Sequence, residues 1–403
     1  MVHRLKSLIS GLAIASLSGL VCLLVLEFAV FRTVLVPDDV LENVTIDGVV
    51  RYRPGSVAVF RHPDGRRSTV AVNAQGWNSA RHTYDTPKSK DRLRVAVVGD
   101  SYVHAAFVDP LESFAARLEA GLTSSGVAAE VFRFGMDGAP LSQYLHMLRR
   151  EVVAYKPDVV VVPIIHNDFD EMYRGVRTRY ASSFMKLRKT ECGGVAEIAP
   201  AKFKPGLAAK LRQSAMFRYL YYETNLYLYA KRWISRFYWG GEEDWDPRFI
   251  SAAVDIRKIS DHESNRFFAR YVLEQMKALS AEHGFRLVFI MDAVREAIYE
   301  KHPPMKYEIG RLNRIAREET ARLGLMFIDL QDAFAADYKA NGKRFEYAYD
   351  WHWNARGNQI VADVLTPLVA GLAGKTQTRA TPTQRAASAS LTSEMDQKLA
   401  NCG

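Results

Sequence analysis

Four short stretches hold the residue types that acyl chemistry needs. They are Gly99-Asp100-Ser101-Tyr102, the run FGMDG ending at Gly138, His166-Asn167-Asp168, and YDWHWN with Asp350 and His352. A serine hydroxyl becomes a nucleophile when a neighbouring base takes its proton, and imidazole is the side chain that titrates nearest neutrality. A carboxylate beside that imidazole fixes its tautomer and stabilises its cation. Backbone N–H groups and a side-chain amide supply donors for a tetrahedral oxyanion. Each stretch also has a plain reading, since Asp-Ser often caps a helix and Asn after a strand often makes a turn. Their positions relative to the secondary structure separate the two readings.

The elements that must position them alternate in a βα rhythm. LRVAVVG, residues 93–99, is a continuous apolar run of the kind buried on both faces of a parallel sheet. AEVFRFG follows, ending at Gly135, then DVVVVPII at 158–165, RLVFIMDA at 286–293 and LMFIDL at 325–330. Helical patterns fall at about 110–124, about 141–154, up to about 283, about 307–323, and after Asn354. This predicts an α/β fold, a three-layer sandwich around a central parallel sheet. The serine, glycine and asparagine stretches each stand at the carboxyl end of a strand, and Asp350 and His352 precede the last helix. Open parallel sheets bind ligands at those ends, so residues far apart in sequence gather in one crevice.

Order, placement and residue type together resemble the SGNH hydrolase superfamily, also called GDSL-like, named for Ser, Gly, Asn and His in four blocks. GDSY matches the first block, Gly138 the second, Asn167 the third, and Asp350 with His352 the last, over about residues 65–370. VNAQGWNS, then RLRVAVVGDSYVHA and YKPDVVVV, is similar to anchored, envelope-facing members. Two positions depart from the pattern. Ile165 stands where the third block usually has Gly, and the acid is two residues before the histidine rather than three. The DWHW spacing is similar to that of SGNH-like polysaccharide O-acetyltransferases. The resemblance implies Ser101, His352 and Asp350 as the catalytic set, an oxyanion hole of Ser101, Gly138 and Asn167, and no cofactor or metal. It implies a serine esterase on O-acyl, chiefly O-acetyl, groups of envelope polysaccharide or glycoconjugate. The alternatives are a polysaccharide O-acetyltransferase, a lipase or lysophospholipase, or a glycan-binding protein that keeps the fold without the activity.

Around that core the chain is expected to divide into an anchor at 1–36, a β-rich prelude at 37–92, a catalytic domain at 93–372 and a disordered tail at 373–403. Ser7 to Leu26 are twenty uncharged, mostly apolar residues, long enough to span a bilayer. Arg4 and Lys6 precede them, which predicts a single-pass inner-membrane anchor with the catalytic body extracytoplasmic, in a periplasm or its equivalent. Glu27 interrupts the apolar run before it resumes from Phe28 to Val36.

The net charge of +9 is not spread over the fold. Residues 171–236 hold fourteen Lys or Arg against four acids, within an insertion at about 170–263 that also carries ten aromatics between 217 and 239. That segment suits a cap over the site, a lipid surface or an anionic glycan, and no nucleic-acid motif accompanies it. The three cysteines form no metal-ligand or dithiol spacing, and Cys192 with Cys402 is the one available intradomain pair.

Overall fold

In the computed structural model, residues 2–61, 66–173, 181–224, 250–251, 254–255, 259–347 and 350–373 are described. The chain forms two compact units. One gathers residues 1–42, 58–67 and 204–245, and the other gathers 43–57, 68–203 and 246–403.

The larger unit is built on a five-stranded parallel sheet. Its strands in chain order are Leu93–Gly99, Ala129–Gly135, Val159–Ile164, Arg286–Met291 and Met326–Asp329. They pair in the spatial order second, first, third, fourth, fifth. This is the doubly wound order of flavodoxin-like sheets, whose ligand crevice opens where the winding reverses, between the first and third strands. The reversal also sorts the helices. Parallel crossovers are right-handed, so the connection from first to second strand lies on one face and the later connections on the other. Helices Phe114–Ser124 and Ala355–Ala373 accordingly pack together, while Leu141–Arg150, His262–His283 and Gly310–Arg322 form a second group. Gly121 lets the first pair approach, because a Cβ there would sit 2.6 Å from the Thr366 hydroxyl.

All seven residues of the first strand are buried. Arg94 is the exception to its apolar run, and every nitrogen of that guanidinium has a partner. Nε donates to Glu130 at 2.7 Å, Nη1 to the Tyr155 carbonyl at 2.6 Å, and Nη2 to the Pro87 carbonyl at 2.9 Å. A buried charge persists only when paired in this way.

The β-rich prelude is not a separate ornament. Strands Asn43–Ile46 and Val49–Tyr52 form a hairpin whose turn, Asp47-Gly48, has positive φ at both residues, as the twist of a two-residue loop requires. Asn73 closes the next turn by accepting from the Gln75 and Trp77 amides at 3.1 and 2.9 Å. The buried Trp77 indole then donates to Glu151 at 2.9 Å, and Arg51 pairs with the same carboxylate at 2.7 Å. These contacts dock the prelude on the end of the helix Leu141–Arg150.

Element boundaries differ from the sequence reading where local geometry intervenes. The stretch at 110–124 is a 3-10 turn, Pro110–Glu112, then a helix from Phe114, because Ser113 is extended and caps the second piece. The stretch at 141–154 ends as a helix at Arg150 and continues as the 3-10 turn Val152–Tyr155. A helix at Gln331–Asn341, closed by Gly342 at φ +62°, was not anticipated. The insertion contains a hairpin, Lys186–Lys189 with Val195–Ile198, besides short helices at Leu207–Leu211 and Ala215–Arg218. The rest of its aromatic run, and the tail expected to be disordered, lie outside the described residues.

In the smaller unit, the helix Val2–Val25 continues through a π-helical turn, Leu26–Val30. The stretch Ile9–Val30 is long and apolar enough to cross a membrane, and none of it is buried by the rest of the chain.

Candidate active site

The first strand runs into Asp100 and then a single helical turn, Ser101–His104. The Asp100 carboxylate accepts the Tyr102 amide at 2.9 Å, which caps the turn and leaves the Ser101 side chain half exposed at its first position. The turn is pinned from below. A Cβ on Gly99 would lie 2.4 Å from Val103, and one on Gly135 would lie 2.2 Å from the His104 amide. Only glycine at both strand ends lets the second strand and the turn approach this closely.

The prelude holds the same turn from the side. Asn78 donates to the His104 carbonyl at 2.7 Å, and Ser68 donates to the Ala106 carbonyl at 2.6 Å. The Tyr52 ring stacks on His104 with centroids 4.4 Å apart, and its hydroxyl lies 3.1 Å from His104 Nδ1. That nitrogen also meets the Asp137 carboxylate at 2.6 Å, inside the loop that carries Gly138. Burial pushes the Asp137 carboxyl up, but His104, and after it His352, hold it below its ordinary value.

His352 arrives on the strand Asp350–Trp353, which pairs antiparallel with Glu346–Tyr347. Its Nε2 lies 2.7 Å from Ser101 Oγ across 251 residues of sequence. The imidazole is flanked by Tyr102 at 4.9 Å and Phe107 at 5.7 Å between ring centroids. The strand is fixed on both sides of the histidine. The Trp351 carbonyl accepts the Tyr102 hydroxyl at 2.8 Å and Arg295 Nη1 at 2.5 Å. Trp353 is buried in the core, its indole donating to Asp292 at 2.9 Å and its carbonyl accepting from Asn358 at 2.8 Å. The Asp350 backbone belongs to the strand, and its side chain lies outside the described residues.

Arg295 and Asp292 were not identified from sequence. Arg295 is buried, with Nη2 2.6 Å from Asp292 and 2.9 Å from the Tyr102 hydroxyl. Burial works against its charge, but Asp292, Tyr102 and Glu346 raise its pKa well above the ordinary value. One guanidinium thus ties the residue after the candidate nucleophile to the residue before the candidate base.

Register places the remaining residues. Gly99 pairs with Gly135, so Gly138 is three residues beyond the second strand's end and beside the nucleophile turn. Gly138 has φ +67°, which a side chain would strain. Val97 pairs with Val161, which brings the segment after the third strand to the other side of Ser101. There Asn167 opens the helix Asn167–Glu171, buried, with Oδ1 lacking a partner among the described residues. Asp168 closes the turn by accepting from the Ile165 amide at 2.8 Å and from Tyr144 at 2.9 Å. Burial, with Asp100 nearby, raises its carboxyl well above the ordinary value.

Tyr102, Ile165, Asn167, Ala293, Ile309 and Trp351 contribute to the lining of a cavity of about 20 Å³ beside the serine turn. Among the described residues no group of three or more His, Cys, Asp or Glu could hold a metal ion.

Asp100 itself is buried, and burial raises its carboxyl to about 7, partly offset by the Tyr102 amide and His352. An acid raised in this way is ionised above about pH 7 and neutral below it. Its anion favours a protonated imidazole on His352. Asp100→Asn keeps an acceptor for the Tyr102 amide but removes that charge. The acid limb of a kcat/KM profile is therefore expected to move to lower pH, and a limb left in place would contradict the coupling.

No family model matches the chain, and no curated protein matches it. Solved structures do. An acetyl xylan esterase, AlAXEase, is 15% identical at a TM-score of 0.39, over 69% of this chain and 100% of that one. The lipase/acylhydrolase from Enterococcus faecalis is 14% identical at 0.38, over 69% and 96%. A catalytic mutant of Axe2, an acetylxylan esterase from Geobacillus stearothermophilus, is 14% identical at 0.38, over 70% and 95%. Likeness at this level says nothing about this chain's substrate.

Proposed function

We propose that the chain is a membrane-anchored serine esterase of the SGNH type, acting on O-acyl, chiefly O-acetyl, groups of cell-envelope polysaccharide or glycoconjugate. The observation that carries this reading is the 2.7 Å contact between Ser101 Oγ and His352 Nε2 at the crevice of a doubly wound sheet. That distance suits proton transfer from nucleophile to base.

In this mechanism His352 Nε2 takes the Ser101 proton as Oγ bonds to the ester carbonyl carbon. The carbonyl electrons move onto oxygen, and the Ser101 and Gly138 amides with the Asn167 side chain receive that charge. Collapse expels the sugar alkoxide, which takes the proton from His352, and leaves an acyl-serine. Water, deprotonated by the same imidazole, then releases the acid and restores Ser101. Asp350 holds His352 Nδ1 in the donating tautomer. A sugar hydroxyl in place of water would turn the same steps into acyl transfer. Each oxyanion donor is typically worth about 10²–10³ in rate, so Asn167→Ala is expected to lower kcat by that factor with KM little changed. An unchanged kcat would remove Asn167 from the mechanism.

One observation supports the extracytoplasmic side as the place. Cys192 is disulfide-bonded while Cys22 is free, and disulfides persist in oxidising compartments. The span Ile9–Val30 then serves as an inner-membrane anchor. The test compares p-nitrophenyl acetate with the octanoate using the full chain in detergent. The acetate is expected to have the higher kcat/KM. A preference for octanoate would favour a lipase, and no turnover of either would favour a glycan-binding protein.

A further inference from the structure

Glu27 is an unexpected residue in an apolar span, and its partners are specific. It accepts Arg32 Nε at 3.0 Å, the Ser214 hydroxyl at 2.8 Å, and the Ala215 and Met216 amides both at 2.9 Å. Those amides begin the short helix Ala215–Arg218 of the insertion. Neighbouring contacts repeat the connection. Phe31 and Tyr219 rings pack with centroids 5.2 Å apart, Arg32 Nη2 reaches the Gln213 carbonyl at 3.4 Å, and Arg218 pairs with Asp39 at 3.7 Å.

The depth of this connection follows from helix geometry. Ile9–Val30 is 22 residues, about 33 Å at 1.5 Å per residue, which matches a hydrocarbon core of about 30 Å. Glu27 is three residues from its end, so its carboxylate lies about 4.5 Å inside the boundary. A bare carboxylate is costly there, and this one is satisfied by the insertion. Whatever satisfies it must itself reach the membrane surface.

The segment has the chemistry of such a surface. Leu207, Leu211 and Leu220 are 73%, 44% and 38% exposed. Lys204, Lys210 and Arg212 intersperse them, with Glu223 the single acid between 204 and 224. Exposed leucines with basic neighbours are the composition of helices that lie in the interface and contact anionic head groups.

Resting on the anchor reading above, we infer that residues 204–224 form a platform lying on an anionic bilayer surface, latched to the end of the span by Glu27. The occupant of its apolar face is lipid, because the latch sets it at the depth of the lipid boundary. This assigns a role both to the carboxylate in the anchor and to the part of the basic insertion that the structure describes.

The test uses the full chain with Cys22→Ser, reconstituted in phosphatidylcholine vesicles containing phosphatidylglycerol. A bimane label is placed at Leu211→Cys, Leu220→Cys or, as the anchor reporter, Leu17→Cys. Doxyl lipids carry the quencher near the head group or deep in the chain. Shallow quencher is expected to reduce emission about twofold at Leu211 and Leu220, as for a face about 5–10 Å into the interface, and deep quencher to act at Leu17. Glu27→Leu is expected to abolish quenching at Leu220 and leave Leu17 quenched, with turnover of p-nitrophenyl acetate retained as evidence of folding. Quenching at Leu17 without quenching at Leu211 and Leu220 would overturn the platform and leave the anchor standing. No quenching at Leu17 would overturn the anchor and the platform with it, and quenching at Leu220 that survives Glu27→Leu would overturn the latch.

Discussion

Replacing His352 by alanine is expected to lower kcat for p-nitrophenyl acetate by about 10⁴- to 10⁶-fold, with the melting temperature nearly unchanged. The size follows from what is removed. His352 Nε2 is within 2.7 Å of Ser101 Oγ, and no other imidazole is bonded to that hydroxyl among the described residues. Without it the serine proton has no acceptor and the leaving alkoxide has no donor. The side chain is half-buried at the edge of the crevice, and the strand around it is fixed by Trp351 and Trp353, so the fold does not depend on the ring. Added imidazole is expected to restore part of the rate in His352→Ala and none in Ser101→Ala. Loss of less than about tenfold, measured on folded protein, would place the base elsewhere.

Arg295→Met is the second large expectation. Methionine keeps most of the length that packs on the Tyr102 and Trp351 rings, whose centroids are 5.7 and 5.5 Å from the guanidinium carbon. It removes the bonds to Asp292, to the Tyr102 hydroxyl and to the Trp351 carbonyl. Breaking a buried ion pair on one side typically costs about 3–5 kcal/mol, because the abandoned carboxylate stays buried. Urea unfolding should show a loss of that order. The activity of the folded fraction should also fall, by about 10²-fold in kcat with KM unchanged, since misplacing a catalytic pair by about 1 Å costs that much. Arg295→Met with Asp292→Asn separates the effects. Stability is expected to recover in large part and kcat is not, because the clamp on Tyr102 and Trp351 is still missing. Recovery of both would make Arg295 a stability residue with no positioning role.

The sheet and the four blocks were legible from sequence for one reason. A parallel strand buried on both faces is a continuous apolar run, and 93–99 and 159–164 stand out wherever they occur. Once the strands are located, the residues at their carboxyl ends are known to share a crevice, and Ser101 and His352 do meet there. Gly138 and Asn167 stand on either side of the serine turn by strand register. The supports around them were not legible. Arg295 is 193 residues from Tyr102, and Tyr52 is 52 from His104, and neither pair has a local pattern that signals contact. A buried arginine looks the same in sequence as a surface one.

Two misses did leave signals. Phe334, Ala335 and Tyr338 recur at helical spacing before Asn341-Gly342, a helix stop, and this reveals the helix at 331–341. Glu27 stands out in sequence as a break in the apolar run. Its meaning required the partner 187 residues away.

The Ser101 assignment can be tested without knowing the substrate. A fluorophosphonate reacts with a serine whose hydroxyl is activated by a base and whose oxyanion is stabilised. Full-length protein treated with the probe, digested and sequenced by mass spectrometry is expected to carry the adduct on Ser101 alone, and the adduct is expected to vanish in Ser101→Ala and in His352→Ala. Folded wild-type protein left unlabelled, or labelled on another residue with Ser101 free, would contradict the account.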